Sequence, residues 1–195
     1  GDGCIYHSKY NYWKTVLIGK KEDLQEIRKD ILKLGFNPWK ISSKKLKSVI
    51  RYQSGEIRNI IGTTTRLDIN SNPLSILLFA LGAPKGRKSE IEFRVPNWLF
   101  KSPRWIKRLY LASLFGAELT KPILNKKEPY RFKEPRISLN KDSVLIKNGY
   151  DFLNDLKNLL KEFEIDVNKT YIYPIAITKS NKSTVKLILS ISSKD

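Results

Sequence analysis

Residues 21–36, KEDLQEIRKDILKLGF, and residues 150–165, YDFLNDLKNLLKEFEI, decide the fold, because they carry one pattern twice. In the first, apolar side chains fall at Leu24, Ile27, Ile31, Leu34 and Phe36, in steps of three, four, three and two. In the second, Leu153, Leu156, Leu160, Phe163 and Ile165 repeat those steps. Three-four spacing stacks side chains on one helical face. Helices are therefore expected over 21–34 and 150–163, and their shared phase points to an internal repeat.

Working outward, 4–10 and 12–18 read as a β-hairpin before the first helix. After it come strands 47–52 and 57–69, joined by a turn at Ser54-Gly55. Around the second helix, 130–139 is β-like upstream, with Pro135 suited to an edge or an interruption. Strands 171–178 and 184–191 lie downstream, separated by 179–183. The closing strands end alike, at Leu67-Asp68-Ile69-Asn70-Ser71 and Leu189-Ser190-Ile191-Ser192-Ser193. An apolar helix over 72–81, with Pro73 in its first turn, follows the first block, and a helix over 103–117 leads into the second. The expected fold class is α/β (α+β), built as two pseudo-symmetric halves of αββαββα order with antiparallel sheets. The polar stretch 84–90 is the expected linker, giving domains 1–90 and 91–195. In this scheme the first half lacks its leading helix and the second its trailing helix. The chain contains no methionine, so it is expected to continue before Gly1.

Charge narrows the partners. The chain has 37 Lys plus Arg against 19 Asp plus Glu, a formal net charge of +18 over 195 residues. Such an excess favours a polyanion, because cationic side chains displace the counterions condensed on phosphates. The longest apolar stretch, 74–81, falls far short of the roughly 20 residues that span a bilayer. No secretory signal is visible, so an intracellular location is expected. One cysteine, Cys4, and one histidine, His7, leave no internal disulfide and no Cys- or His-rich metal site. No phosphate-binding glycine loop or nucleophile elbow is present.

Two acidic residues occupy equivalent places in the repeat. Gly1-Asp2-Gly3 opens the first half; Leu111-Ala112-Ser113-Leu114-Phe115-Gly116-Ala117-Glu118 closes the leading helix of the second. The small residues Ala112, Ser113, Gly116 and Ala117 allow another helix to approach closely. Two carboxylates brought together at the base of such a helix pair repel unless a cation neutralises them. Mg²⁺ suits that setting, completing its shell with phosphate oxygens and water. These segments resemble the motif of the LAGLIDADG homing endonucleases, a helix of apolar and small residues that ends on an acid. Leu119 departs from the glycine that often follows. The run Val95-Pro96-Asn97-Trp98 before the second motif also resembles the linker of double-motif members.

The resemblance implies a monomer whose saddle-shaped sheets each cover a DNA major groove. It implies metal-dependent, site-specific double-strand cleavage at a long site, as in homing of an intron or intein. Asp2 and Glu118 would be catalytic and metal-binding, with Mg²⁺, or Mn²⁺ or Ca²⁺ in vitro, as cofactor. A basic residue near the reacting water is also implied, and Lys20 and Lys141 stand at equivalent places. Groove contacts on double-stranded DNA would come from Tyr6, Ser8, Lys9, Arg51, Gln53, Arg58 and Arg66 in the first half. In the second half they would come from Arg131, Lys133, Arg136, Lys179, Asn181, Lys182 and Lys186. The run Lys44, Lys45 and Lys47 is a solvated or phosphate-facing stretch, and the four tryptophans are expected in the core or an interface. The alternative is a non-catalytic nucleic-acid-binding relative, an intron maturase acting on RNA or a ribonucleoprotein component.

Overall fold

In the computed structural model, which describes residues 3–51, 57–126, 130, 132–177 and 183–191, both repeated segments are helical. The first is α1, Lys21–Lys33, and the second belongs to α5, Ile146–Lys161. The shared final step of two has a backbone cause. After α1, Gly35 takes φ +84, its N–H bonds to the Leu32 carbonyl and that of Phe36 to the Ile31 carbonyl. After α5, Glu164 takes φ 61, and the N–H groups of Glu164 and Ile165 bond to the carbonyls of Lys161 and Leu160. Both are left-handed helix ends that satisfy orphan carbonyls, and the residue after the turn is apolar in each.

The elements in order are β1 (Gly3–His7), β2 (Trp13–Ile18), α1, β3 (Ser42–Arg51), β4 (Ile57–Ile69) and α2 (Asn72–Ala80). Then follow α3 (Asn97–Phe100), α4 (Arg104–Glu118), β5 (Arg136–Asp142), a 3-10 turn over Ser143–Leu145, α5, β6 (Tyr171–Ile177) and β7 (Ser183–Ser190). The chain divides into two compact units, Asp2–Phe79 and Ala80–Asp195. Each holds one antiparallel sheet, so the α+β class holds. No helix among the described residues is long and apolar enough to cross a membrane.

The first unit has a four-stranded sheet in the order β1-β2-β4-β3. Leu67 and Ile69 of β4 point to one face and are buried with Leu24 and Ile31 of α1 and Leu74 of α2. Each such leucine taken from water contributes about 1.5–3 kcal/mol. Strand β2 pairs with β4 only from Thr15↔Ile69 to Ile18↔Arg66. Strand β3 pairs with β4 much further, from Ser42↔Arg66 to Arg51↔Ile57. The outer parts of β3 and β4 therefore project as a two-stranded ribbon.

The second unit has a sheet of three described strands in the order β5-β7-β6. Phe152, Leu153, Leu156, Leu159 and Leu160 of α5 bury against Ile137, Val185, Leu187 and Leu189, joined by Leu111 of α4. The segment before α3 is pinned by Asp155, which accepts from the Arg94 guanidinium at 2.6 and 2.7 Å and from the Val95 N–H at 3.3 Å.

Three expectations need correction. The upstream strand begins at Arg136, not 130, and the residues before it make only isolated bridges, Leu124↔Phe132 and Leu119↔Ile137. Pro135, with no N–H to donate, separates the two regions. Helix α5 starts at Ile146 rather than 150, and Gly149 lies inside it, where a Cβ would lie 3.0 Å from side-chain carbons of Leu187 and Lys141. Three of the four tryptophans, Trp39, Trp98 and Trp105, are exposed rather than in the core, while Trp13 is half-buried and stacked on His7. The expected turn at Ser54-Gly55 and that over 179–183 fall largely outside the described residues.

Candidate nucleic-acid interface

Residues paired across a sheet share a face, as do residues two apart on one strand. In the first unit α1 covers the face of Leu67 and Ile69, so Arg66 and Asp68 belong to the opposite, helix-free face. The register adds Tyr6 and Lys14 (paired with each other) and Lys44 (paired with Thr64). Further along the ribbon, Arg58 stands on the same side by alternation. Lys14, Lys44, Arg58 and Arg66 thus give this face a cationic character.

One carboxylate interrupts it. Asp68 accepts from Arg66 Nε at 2.8 Å and Nη2 at 2.5 Å, and lies 2.6 Å from Lys14 Nζ. The Arg66 hydrogen bonds, aided by Lys14 and opposed by partial burial, hold the Asp68 carboxyl below the usual carboxylate range. Nearby, the Ser8 hydroxyl shapes the β1–β2 turn by accepting from the N–H groups of Tyr10 and Tyr12, both at 3.3 Å. Lys9 places its ammonium 5.1 Å from the centre of the Tyr10 ring.

In the second unit α5 covers the face of Ile137, Leu187 and Leu189. The opposite face presents Arg136, Ser138 and Asn140 from β5, Lys186 from β7, and Tyr171 and Tyr173 from β6. Lys133 is exposed in the segment before β5. The two tyrosines escaped the sequence reading. Their signal was the Tyr171-Ile172-Tyr173 alternation on what the topology makes an edge strand.

Of the other expected groove residues, Gln53, Arg131, Lys179, Asn181 and Lys182 lie outside the described residues, and Arg51 is described only as part of β3. Asp2 also lies outside them. Glu118 ends α4, half-buried, with its Oε1 3.5 Å from Lys88 Nζ. No group of three His, Cys, Asp or Glu side chains able to hold a metal ion occurs among the described residues. Lys20 is exposed at the start of α1, and its side chain makes no capping bond.

Lys141 is where the structure departs furthest from expectation. It faces the core side of β5 and is wholly buried. Its Nζ donates to the Ile91 carbonyl at 2.5 Å and lies 4.1 Å from the centre of the Phe93 ring. Burial pushes its ammonium down to about 8, with Glu92 opposing the shift. Its side chain lies on the core side of the sheet, packed against Ile91 and Phe93.

No protein-family model matches the chain, and no solved structure matches it. Curated relatives do. The chain is 32% identical to the DNA-directed RNA polymerase subunit Rpo1N of Methanocaldococcus jannaschii over 167 residues, 86% of this chain and 12% of that protein. It is 30% identical to the tRNA-splicing ligase RtcB of Pyrococcus abyssi over 177 residues, 91% of this chain and 18% of that protein. It is 27% identical to the replication factor C small subunit of Methanocaldococcus jannaschii over 195 residues, 100% of this chain and 10% of that protein. The chain thus spans between a tenth and a fifth of the length of these relatives. The comparisons overturn the LAGLIDADG assignment, for the relatives carry the names of a polymerase subunit, an RNA ligase and a replication factor. Metal-dependent hydrolysis at a homing site in an intron or intein is withdrawn with it. So are the maturase and ribonucleoprotein alternatives, which none of these names matches.

Proposed function

We propose that this chain is a basic nucleic-acid-binding module carried within a larger protein, and that it meets its ligand through the helix-free faces of its two sheets. The observation that carries this reading is the placement of cations on those faces: Lys14, Lys44, Arg58 and Arg66 in one unit, Arg136 and Lys186 in the other. With a net charge of +18, such faces attract phosphate by counterion release.

The relatives support a module separable from any one activity. One stretch of sequence recurs in proteins named as a polymerase subunit, a splicing ligase and a replication factor subunit, covering 12%, 18% and 10% of them. A segment common to all three does not account for activities their names do not share. What the names share is work on nucleic acid, which fits a binding role.

The test is binding of duplex DNA, duplex RNA and folded transfer RNA by fluorescence anisotropy across a salt series. Affinity should fall steeply with salt. Lys44→Ala, Arg58→Ala and Lys186→Ala should each weaken binding and reduce the slope by about one. Absent binding at low salt, or binding indifferent to these three changes, would overturn the proposal.

A further inference from the structure

Strand β6 is the edge of the second sheet, and its helix-free face carries two tyrosines in succession. Tyr171 and Tyr173 are each 50% exposed, and their ring centroids lie 6.4 Å apart at an interplanar angle of 34°. Their separation follows from the strand itself, since residues two apart rise by about 6.8 Å. A planar base inserted between two rings needs about 3.5 Å on each side. The observed gap is therefore about 0.6 Å short of admitting one base, once the rings turn parallel.

The neighbouring positions suit what is attached to a base. Tyr173 is paired with Lys186, which is paired in turn with Asn140; Tyr171 is paired with Ile188, and that with Ser138. Arg136 lies on the same face at the end of β5. A cation, an amide and a hydroxyl thus stand beside the aromatic pair, the combination that binds a strand by stacking its bases and tracking its phosphates. Bases inside a duplex are already stacked and do not offer their faces, so this arrangement selects an unpaired segment.

We propose that the helix-free face of the β5-β7-β6 sheet binds an unpaired stretch of nucleic acid, with a base stacked on Tyr171 and Tyr173 and its phosphates on Lys186 and Arg136. This rests on the nucleic-acid reading above and narrows it to a ligand class.

The experiment compares, for the full chain, a short uridine-rich RNA strand, the same strand with abasic positions, its DNA counterpart, and a duplex. The wild-type chain should prefer the base-bearing single strand to the abasic one by about tenfold, the effect of a stacking platform. Tyr171→Ala with Tyr173→Ala should abolish that preference, and the corresponding phenylalanine pair should retain it. A strand carrying a photoreactive thiouridine should cross-link to the peptide containing Tyr171 and Tyr173. Equal affinity of the wild-type chain for base-bearing and abasic strands would overturn the proposal without any variant. So would a preference that survives the alanine pair. Duplex binding in either case leaves the broader reading standing, and failure to bind any of the four ligands overturns both.

Discussion

Replacing Lys141 by methionine keeps most of the side-chain volume and removes the buried charge. At neutral pH the ammonium, titrating at about 8, is mostly protonated in the folded chain and is opposed by its surroundings. The folded value lies below the ordinary one of about 10.4, so between these values the unfolded chain binds more protons. Stability therefore rises with pH through that window and is lowest where the buried lysine is charged. Integrating the proton difference between pH 7 and pH 10 gives the wild-type chain about 2.5 kcal/mol from this one group. The variant lacks it. At pH 7 the methionine also forgoes the hydrogen bond to the Ile91 carbonyl and the contact with the Phe93 ring, worth about 1–3 kcal/mol together, so the two proteins should be of comparable stability there. The assay is urea denaturation of both proteins at pH 7 and pH 10. Other lysines and tyrosines titrate in both and cancel in the difference. A gap between wild type and variant that stays constant across this range would refute the assignment of Lys141 to the core.

Asp68→Asn should release Lys14 and Arg66 for phosphate, tightening duplex binding and steepening its salt dependence by about one or two. It should also reduce stability at neutral pH. Because the folded Asp68 carboxyl is held low, its contribution is present above the unfolded value of about 3.9 and is lost as pH falls through the folded value. Thermal melts of the two proteins should therefore converge in acid; a gap persisting there would contradict the charge network. Gly82→Ala should lower stability by about 2–3 kcal/mol, since Gly82 sits at φ +100 and an added Cβ would lie 2.6 Å from Pro96 Cγ. An unchanged melting temperature would show that this turn does not take the described form.

The helical half of the fold was legible because burial is periodic. Helix α1 ends within a residue of its expected limit, and the closing two-residue step recorded the left-handed turns at Gly35 and Glu164. What misled was local chemistry overruled by packing. The start of α5 lay outside the apolar pattern, yet Gly149 lies inside the helix, where a Cβ would press on Leu187 and Lys141. The cations of the interface could be proposed from the sequence, but sorting them needed the register. Alternation assigns two faces and does not say which one a helix covers. The burial of Lys141 was illegible for the same reason: a lysine in a strand is usually solvated, and only the pairing of β5 with β7 places it beneath α5. The similarity in the motif segments was confined to short runs of small and apolar residues, a composition that many helices share.

The ribbon formed by the outer parts of β3 and β4 has a consequence for how this fold changes over time. Its far residues, among them Val49, Ile57, Ile60 and Ile61, are exposed and contribute nothing to the core beneath α1. Backbone amides there should exchange with solvent by local opening, without waiting for the whole unit to unfold. Substitutions along the ribbon are for the same reason nearly decoupled from folding. Sequence at this tip can therefore change quickly while the scaffold beneath it stays the same.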